Sequence, residues 1–153
     1  MLKQILFILA LTLSLSACQN QTTDASKNIN TLLDNWHLDA TNANLEAYFS
    51  AFDDQAIYIG TDASERWTKA EFFNFCEPYF KKGKAWDFKA FDRKIYFSED
   101  GKTAWFNELL NTWMGVCRAS GVLSLKDGVW KISHYQLSVT VKNEKMKEFL
   151  EIE

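Results

Sequence analysis

Residues 91–138 read FDRKIYFSEDGKTAWFNELLNTWMGVCRASGVLSLKDGVWKISHYQLS, and their alternating apolar and polar positions predict four strands joined by three tight turns. Two of the turns are the Asp-Gly pairs Asp100-Gly101 and Asp127-Gly128. This dipeptide favours a type I′ turn, in which both central residues have positive φ. The third turn is predicted at Met114-Gly115. The stretch therefore predicts an antiparallel meander.

The last hairpin tests the register of this meander. With a two-residue turn, Leu123 faces Ile132 and Leu125 faces Trp130, so four large apolar side chains share one face of the sheet. A shift by one residue would turn polar neighbours such as Lys131 onto that face. The register therefore predicts which face of the meander packs against the core.

Ionisable residues fall on the same apolar face. Two rows cross the strands there, and they consist of Phe91, Leu110, Ala119 and Gln136, and of Arg93, Glu108, Gly121 and His134. One interpretation is a packed core with a satisfied Arg93–Glu108 ion pair. The other is a cavity on which polar groups converge. We expect the cavity, because small residues beside an ionisable row fill a core poorly.

The composition limits the function classes. The chain has 153 residues, which predicts one folded domain, and 15% of them are aromatic. The net charge is −3 without a basic cluster, which argues against nucleic-acid binding. With His37 and His134 as its two histidines, far apart in sequence, the chain also offers no metal-ligand spacing, and no cofactor is predicted.

The N-terminus has the pattern of a targeting segment. Lys3 precedes an apolar run, Ile5–Leu15, that is too short for a permanent membrane span. The run ends in Leu15-Ser16-Ala17-Cys18, which resembles the lipobox of bacterial lipoprotein signal peptides. An ordinary secretory leader is the alternative. The resemblance implies a signal peptide over residues 1–17, lipidation of Cys18, a tether over residues 18–26, and a location at the outer membrane facing the periplasm.

Helical periodicity precedes the meander. A stripe of Ile29, Leu32, Leu33, Trp36 and Ala40 predicts a helix from Ser26 to about Ala40, with His37 beside the stripe as a solvated or capping residue. A shorter helix is predicted over Asn42–Phe52, and Asp53-Asp54 is expected to break it.

Further elements follow these two helices. Ala56–Gly60 predicts a short strand, and Thr68 with Glu71 forms a capping box at the start of a third helix. A bulge is predicted between Phe88 and Phe91, where the apolar alternation changes parity, and a last helix is predicted from Asn143. Cys76 and Cys117 either form a disulfide or remain buried thiols.

The whole pattern resembles the SnoaL-like branch of the nuclear transport factor 2-like superfamily over roughly residues 27–143. The resemblance rests on the segments Gly60-Thr61-Asp62, Glu65-Arg66-Trp67, Trp105-Phe106-Asn107-Glu108, Arg118 with Gly121-Val122-Leu123, and Trp130-Lys131-Ile132. It implies an α+β domain over residues 27–153, with N-terminal helices packed on a strongly bent antiparallel sheet that forms a cone around a pocket.

The resemblance also implies a function for the cone. We expect it to bind a small, largely apolar molecule, and the candidate binding residues are Tyr58, Asp62, Trp67, Arg93, Glu108, His134 and Gln136. Asp62 is alternatively a capping residue of its loop. One rival is an isomerase, dehydratase or hydrolase that uses Glu108 and His134 as acid–base groups. The other is a homodimeric scaffold without ligand that associates through the opposite sheet face, where Leu109, Val122, Tyr135 and Leu137 are predicted.

Overall fold

The computed structural model describes residues 23–152, so the predicted leader and Cys18 lie outside the described residues. The helices are α1 (residues 23–41), α2 (Leu45–Ser50), α3 (Lys69–Phe80), a 3₁₀ turn (Asn143–Lys145) and α4 (Met146–Leu150). The strands are β1 (Phe52–Ile59), β2 (Arg66–Thr68), β3 (Lys89–Phe97), β4 (Thr103–Thr112), β5 (Gly115–Lys126) and β6 (Val129–Val139). The predicted α+β class is confirmed.

Within the described residues, the strands form one sheet of order β2-β1-β6-β5-β4-β3. β1 runs parallel to β6, and the other neighbouring strands are antiparallel. The four predicted strands of the meander are therefore confirmed as β3 to β6. The sheet as a whole is mixed rather than purely antiparallel, because β1 enters beside β6 from the helical end of the chain.

The helices follow local sequence signals. The apolar stripe of α1 is buried at Ile29, Leu33, Trp36 and Ala40, as predicted. The capping box of α3 is also confirmed, because Thr68 Oγ1 accepts from the Glu71 amide at 3.4 Å and the Thr68 amide donates to Glu71 Oε2 at 2.8 Å. Both satisfy backbone donors that a helix N-terminus leaves free.

The second helix is shorter than predicted. Ala43 has φ of 54°, a left-handed value that ends α1, and Asn44 then caps α2 by accepting from the Ala47 amide at 3.4 Å. The helix stops at Ser50, and β1 starts at Phe52, so Asp53 and Asp54 are strand residues and do not form a break. Strand β1 therefore begins four residues before the predicted start at Ala56.

The turns of the meander differ from one another. Asp127 and Gly128 have φ of 50° and 79°, which confirms the type I′ turn and the pairing of Leu123 with Ile132. At Asp100-Gly101, only Gly101 has positive φ, 65°, so the type I′ assignment is wrong there. The predicted pairing across that hairpin nevertheless holds, because Ile95 faces Phe106.

The predicted middle turn is misplaced by one residue, which shifts the pairing of β4 with β5 by two residues. Thr112 pairs with Gly115, which leaves Trp113-Met114 as the turn. Thr112 Oγ1 accepts from the Met114 amide at 3.0 Å, and Gly115, with φ of 90°, takes the left-handed position that methionine tolerates poorly. As a result, Glu108 pairs with Ala119 and not with Gly121, and Leu110 pairs with Cys117 and not with Ala119.

A bulge interrupts β3, as predicted, but it lies between Phe91 and Lys94. Asp92, with φ of 49°, and Arg93 together oppose Glu108. Phe91 therefore pairs with Leu109, not with Leu110, and its side chain is exposed on the outer face of the sheet. Arg93 is the second residue of the bulge and keeps its predicted inward orientation, on the same face as Ile95 two residues later.

A second bulge, at Ser133 in β6, was not predicted. Leu123 pairs with Ile132, but Val122 pairs with His134, so the side-chain alternation reverses after Ser133. Tyr135 and Leu137 are buried as a consequence, although the sequence pattern predicted them on the outer face. His134 and Gln136 lie on the outer face, although they were predicted on the inner one.

The space expected above Ala119 and Gly121 is filled. A Cβ placed on Gly121 would lie 2.6 Å from a ring carbon of Phe106 and 2.6 Å from the His134 carbonyl oxygen. Glycine at this position therefore admits the Phe106 ring into the core. Cys76 and Cys117 are both buried free thiols, and burial raises the pKa of Cys76.

We expect Gly121→Ala to lower the free energy of unfolding by about 1–3 kcal/mol, because the added methyl group overpacks the Phe106 site. Urea unfolding checks this value. Ser120→Ala is the control, since Ser120 is the exposed neighbour on the same strand. Equal stability of the two variants would show that Phe106 has room to move.

Candidate functional site

The predicted site residues separate into two groups and some isolated positions. Arg93 and Glu108 belong to a buried ionic cluster. Tyr58 and Trp67 line an open pocket at another part of the domain. The remaining predicted residues, Asp62, His134 and Gln136, line neither.

Glu108 is the centre of the ionic cluster and is 0% exposed. Its Oε1 accepts from His37 Nε2 at 2.8 Å, and its Oε2 accepts from Arg93 Nε at 2.6 Å. Arg93 Nη1 donates further to Asp34 Oδ1 at 2.8 Å and to the Asn30 side-chain oxygen at 3.1 Å. The cluster thus joins β3 and β4 to helix α1.

The charges of this cluster decide what Glu108 can do. Burial alone raises the pKa of Glu108, but the hydrogen bond from His37 and the charges of His37 and Arg93 outweigh it, so the pKa lies below its ordinary value of 4.5. Glu108 is therefore ionised at neutral pH, and a donor already occupies each of its oxygens. This arrangement suits a structural anion better than a general base.

His37 is the member of the cluster that the sequence did not identify. It was predicted as solvated or capping, but it is 6% exposed and bound to Glu108. Its position one residue after Trp36 and four after Leu33 placed it at the edge of the buried stripe. Nothing local in α1 indicates a carboxylate 71 residues away in sequence.

His134 does not join the row that the sequence predicted. It lies on the outer face beside Val122 and Ile57, because the bulge at Ser133 reverses its orientation. Burial and the charge of Arg66 both lower the pKa of His134, so its imidazole is neutral at pH 7. Glu108 and His134 point to opposite faces of the sheet and share no space for an acid–base reaction.

We expect Glu108→Ala to lower the free energy of unfolding by about 3–5 kcal/mol, because it leaves Arg93 charged and buried without this partner. His134→Ala should cost less than about 1 kcal/mol, since its side chain is only half-buried on the outer face. Urea unfolding at pH 7 compares the two. Similar losses in both variants would contradict a structural role for the cluster.

The open pocket has a volume of about 240 Å³. Its wall contains a continuous belt of aromatic rings, each 4.6–6.5 Å from the next between centroids. In order around the pocket, this aromatic belt consists of Tyr58, Trp67, Phe75, Tyr79, Trp86 and Phe88. Of these, the sequence analysis identified Tyr58 and Trp67 as binding residues. The other four were not identified as binding residues: Phe75 and Tyr79 lie on α3, and Trp86 and Phe88 lie between α3 and β3.

The turn between β4 and β5 completes the mouth of the pocket. Trp113 is 84% exposed and Met114 is half-buried, and both line the opening. Both residues reach the pocket because they form the turn itself. The turn was predicted one residue later, at Met114-Gly115, and neither residue was therefore predicted to bind a ligand. An exposed tryptophan at the opening leaves a large apolar surface in contact with solvent.

One carboxylate borders the aromatic pocket. Glu65 lines it, and its Oε2 accepts from the Asp62 amide at 3.1 Å. Asp62 itself accepts from the Ser64 hydroxyl and amide, and these bonds lower the pKa of Asp62. The contacts of Asp62 are therefore those of a loop-capping residue, as the alternative prediction stated. Gly60 lies directly against Glu65: a Cβ on this glycine would lie 2.9 Å from Glu65 Cβ and would displace the Glu65 side chain.

Two further features are absent from the described part of the chain, a metal-ligand cluster and a membrane-spanning helix. Residues 23–152 contain no cluster of three or more His, Cys, Asp or Glu side chains able to hold a metal ion. None of the helices described there is long and apolar enough to cross a membrane.

The comparison with protein families identifies this arrangement. Residues 29–142 match the model of the SnoaL-like domain. The chain belongs to the SnoaL-like domain family. The match covers the stretch on which the resemblance was based, from α1 through β6, and a comparison with curated proteins gives no significant match.

Solved structures share the fold of this SnoaL-like domain. A Pseudomonas putida nuclear transport factor 2-like protein of unknown function superposes with a TM-score of 0.67 at 14% identity, covering 80% of this chain and 92% of that one. A Mycobacterium tuberculosis protein of unknown function gives 0.68 at 12% identity, with coverages of 82% and 78%. A provisionally named scytalone dehydratase from Novosphingobium aromaticivorans gives 0.66 at 9% identity, with coverages of 80% and 89%. The nuclear transport factor 2-like fold is thereby confirmed.

Proposed function

We propose that this SnoaL-like domain binds a small, largely apolar molecule in the aromatic pocket. The observation that carries the proposal is the aromatic belt, whose six rings all line one open pocket. Aromatic side chains supply large apolar contact areas and defined ring geometry, which are typical of small-molecule sites. The volume of about 240 Å³ lies below the roughly 300–1,000 Å³ of sites for drug-sized ligands, which favours a smaller molecule.

Binding is better supported than catalysis. The predicted acid–base pair is divided between the two faces of the sheet, and both oxygens of Glu108 are occupied by His37 and Arg93. The residues that line the pocket include no histidine. The provisionally named dehydratase shares the fold at 9% identity, a level that carries no activity across.

The pocket proposal predicts a selective effect of Trp67→Ala. A bound ligand at about ten times its Kd stabilises the fold by about 1.4 kcal/mol, which raises Tm by several degrees. We expect small neutral apolar compounds, including indole, to raise the Tm of the native protein and to lose this effect in Trp67→Ala. Differential scanning fluorimetry measures the shifts.

Trp105→Ala is the matched control, because Trp105 is 46% exposed and stacks on Tyr96 away from the pocket. It should keep the ligand-induced shift. A native mass spectrum of protein purified without denaturation supplies an independent readout of a retained molecule. An apoprotein mass together with an unchanged Tm across the panel would contradict the proposal.

We further propose that the domain is anchored to the bacterial envelope through lipidated Cys18 and faces the periplasm. The support is the Leu15-Ser16-Ala17-Cys18 sequence after a charged start and an apolar run. Residues 23–26 of the predicted tether belong to helix α1, so residues 18–22 would then connect the lipid to that helix. In this location, the pocket samples small molecules that reach the envelope.

Cys18→Ala should abolish the diacylglyceryl modification, because the thiol is its attachment point. Mass spectrometry of the membrane fraction checks the modified N-terminus, and Cys117→Ala is the control that keeps Cys18. A native protein that lacks the lipid and starts at another residue would refute the anchor.

A further inference from the structure

The ligand class follows from the charges around the pocket, and this step rests on the proposed function. We propose that the aromatic pocket selects a small organic cation, specifically an alkylammonium group with apolar substituents. The chemistry that recognises it is a set of aromatic ring faces combined with one carboxylate.

The rings supply the first part of this recognition. Trp67 and Trp86 belong to the aromatic belt, and Trp113 stands at its mouth. Indole has the most favourable ring face for a cation, and an alkylammonium group also gains apolar contact with such rings. Tyr79, which is exposed, extends the same surface, whereas Tyr58 is buried and stacks on Phe72 and Tyr135, with ring centroids 3.8 Å and 5.3 Å apart.

The distribution of charge supplies the second part. Glu65 is the carboxylate among the lining residues, which include no lysine, arginine or histidine. In the hydrogen bonds of residues 23–152, Glu65 Oε2 accepts from the Asp62 amide, whereas its Oε1 has no partner. A cation in the pocket therefore meets an attractive charge, while an anion meets repulsion in a partly desolvated space.

One ring of the belt already interacts with a cation. Lys82 Nζ lies 5.5 Å from the ring centroid of Tyr79, and Lys82 is exposed to solvent. The contact lies within the range of cation–π attraction, about 6 Å. Lys82 therefore already occupies this position at Tyr79, and a ligand cation reaches that ring only by displacing the exposed Lys82 side chain.

A pair of isosteric probes tests the charge requirement without any substitution. Choline carries a trimethylammonium group, and 3,3-dimethylbutan-1-ol replaces its nitrogen by carbon and is neutral. We expect isothermal titration calorimetry to show roughly tenfold tighter binding of choline, the combined effect of cation–π contact and the carboxylate. Equal affinity for the two probes would overturn the inference.

Substitutions then locate the effect. Glu65→Gln keeps an acceptor for the Asp62 amide and should reduce the preference for choline to less than about threefold, with the affinity for the alcohol unchanged. Glu46→Gln removes the same charge at an exposed position of α2 and should retain the full preference. A retained preference in Glu65→Gln would refute the role of this carboxylate.

The outcomes separate this inference from the proposed function. Equal binding of both probes, lost in Trp67→Ala, overturns the cation selectivity and leaves a pocket for neutral molecules. Failure of both probes and of the neutral compound panel overturns the pocket itself. Preferential binding of choline that survives in Trp67→Ala places the cation elsewhere and overturns the inference.

Discussion

The buried carboxylate of Glu108 holds helix α1 against strands β3 and β4. A charge without solvent needs partners at close range, and His37 from the helix and Arg93 from the bulge of β3 supply them. Because Arg93 also reaches Asp34 and Asn30, the cluster fixes the position of the helix over this part of the sheet. The apolar stripe of α1 provides the burial, and the ionic cluster specifies where along the sheet the helix lies.

This use of Glu108 determines where a ligand can bind. The inner face of the meander is occupied by α1, by the ionic cluster and by Phe106, which fills the space that Gly121 provides. The aromatic pocket lies elsewhere, between α3, β1, β2 and the β4–β5 turn, and the rings of the aromatic belt line it. Arg93 and Glu108, which were predicted as ligand-binding residues, thus stabilise the fold, whereas most rings of the pocket wall were not predicted as binding residues.

Two bulges connect these features. The bulge at Asp92 and Arg93 turns Arg93 toward Glu108 and leaves Phe91 outside. The bulge at Ser133 turns Tyr135 inward, where it packs at 5.3 Å between ring centroids against Tyr58 of the belt. Each bulge inserts one residue into its strand, so the side chains beyond it lie on the opposite face of the sheet from the one that simple alternation predicts. A small local irregularity therefore separates His134 from the ionic cluster and adds Leu137 to the pocket wall.

The sequence by itself determined the features that depend on neighbouring residues. The α1 stripe, the Thr68–Glu71 capping box, the Asp127-Gly128 turn and the pairing of Leu123 with Ile132 all rest on interactions within a few residues or across one tight turn. They were sufficient to indicate an α+β meander and its family. Tertiary structure decided the partner of His37, the bulge at Ser133, the Trp113-Met114 turn and the assembly of the belt. These depend on contacts between segments far apart in the chain, and a one-residue bulge changes the face of every following side chain while leaving almost no trace in the local pattern.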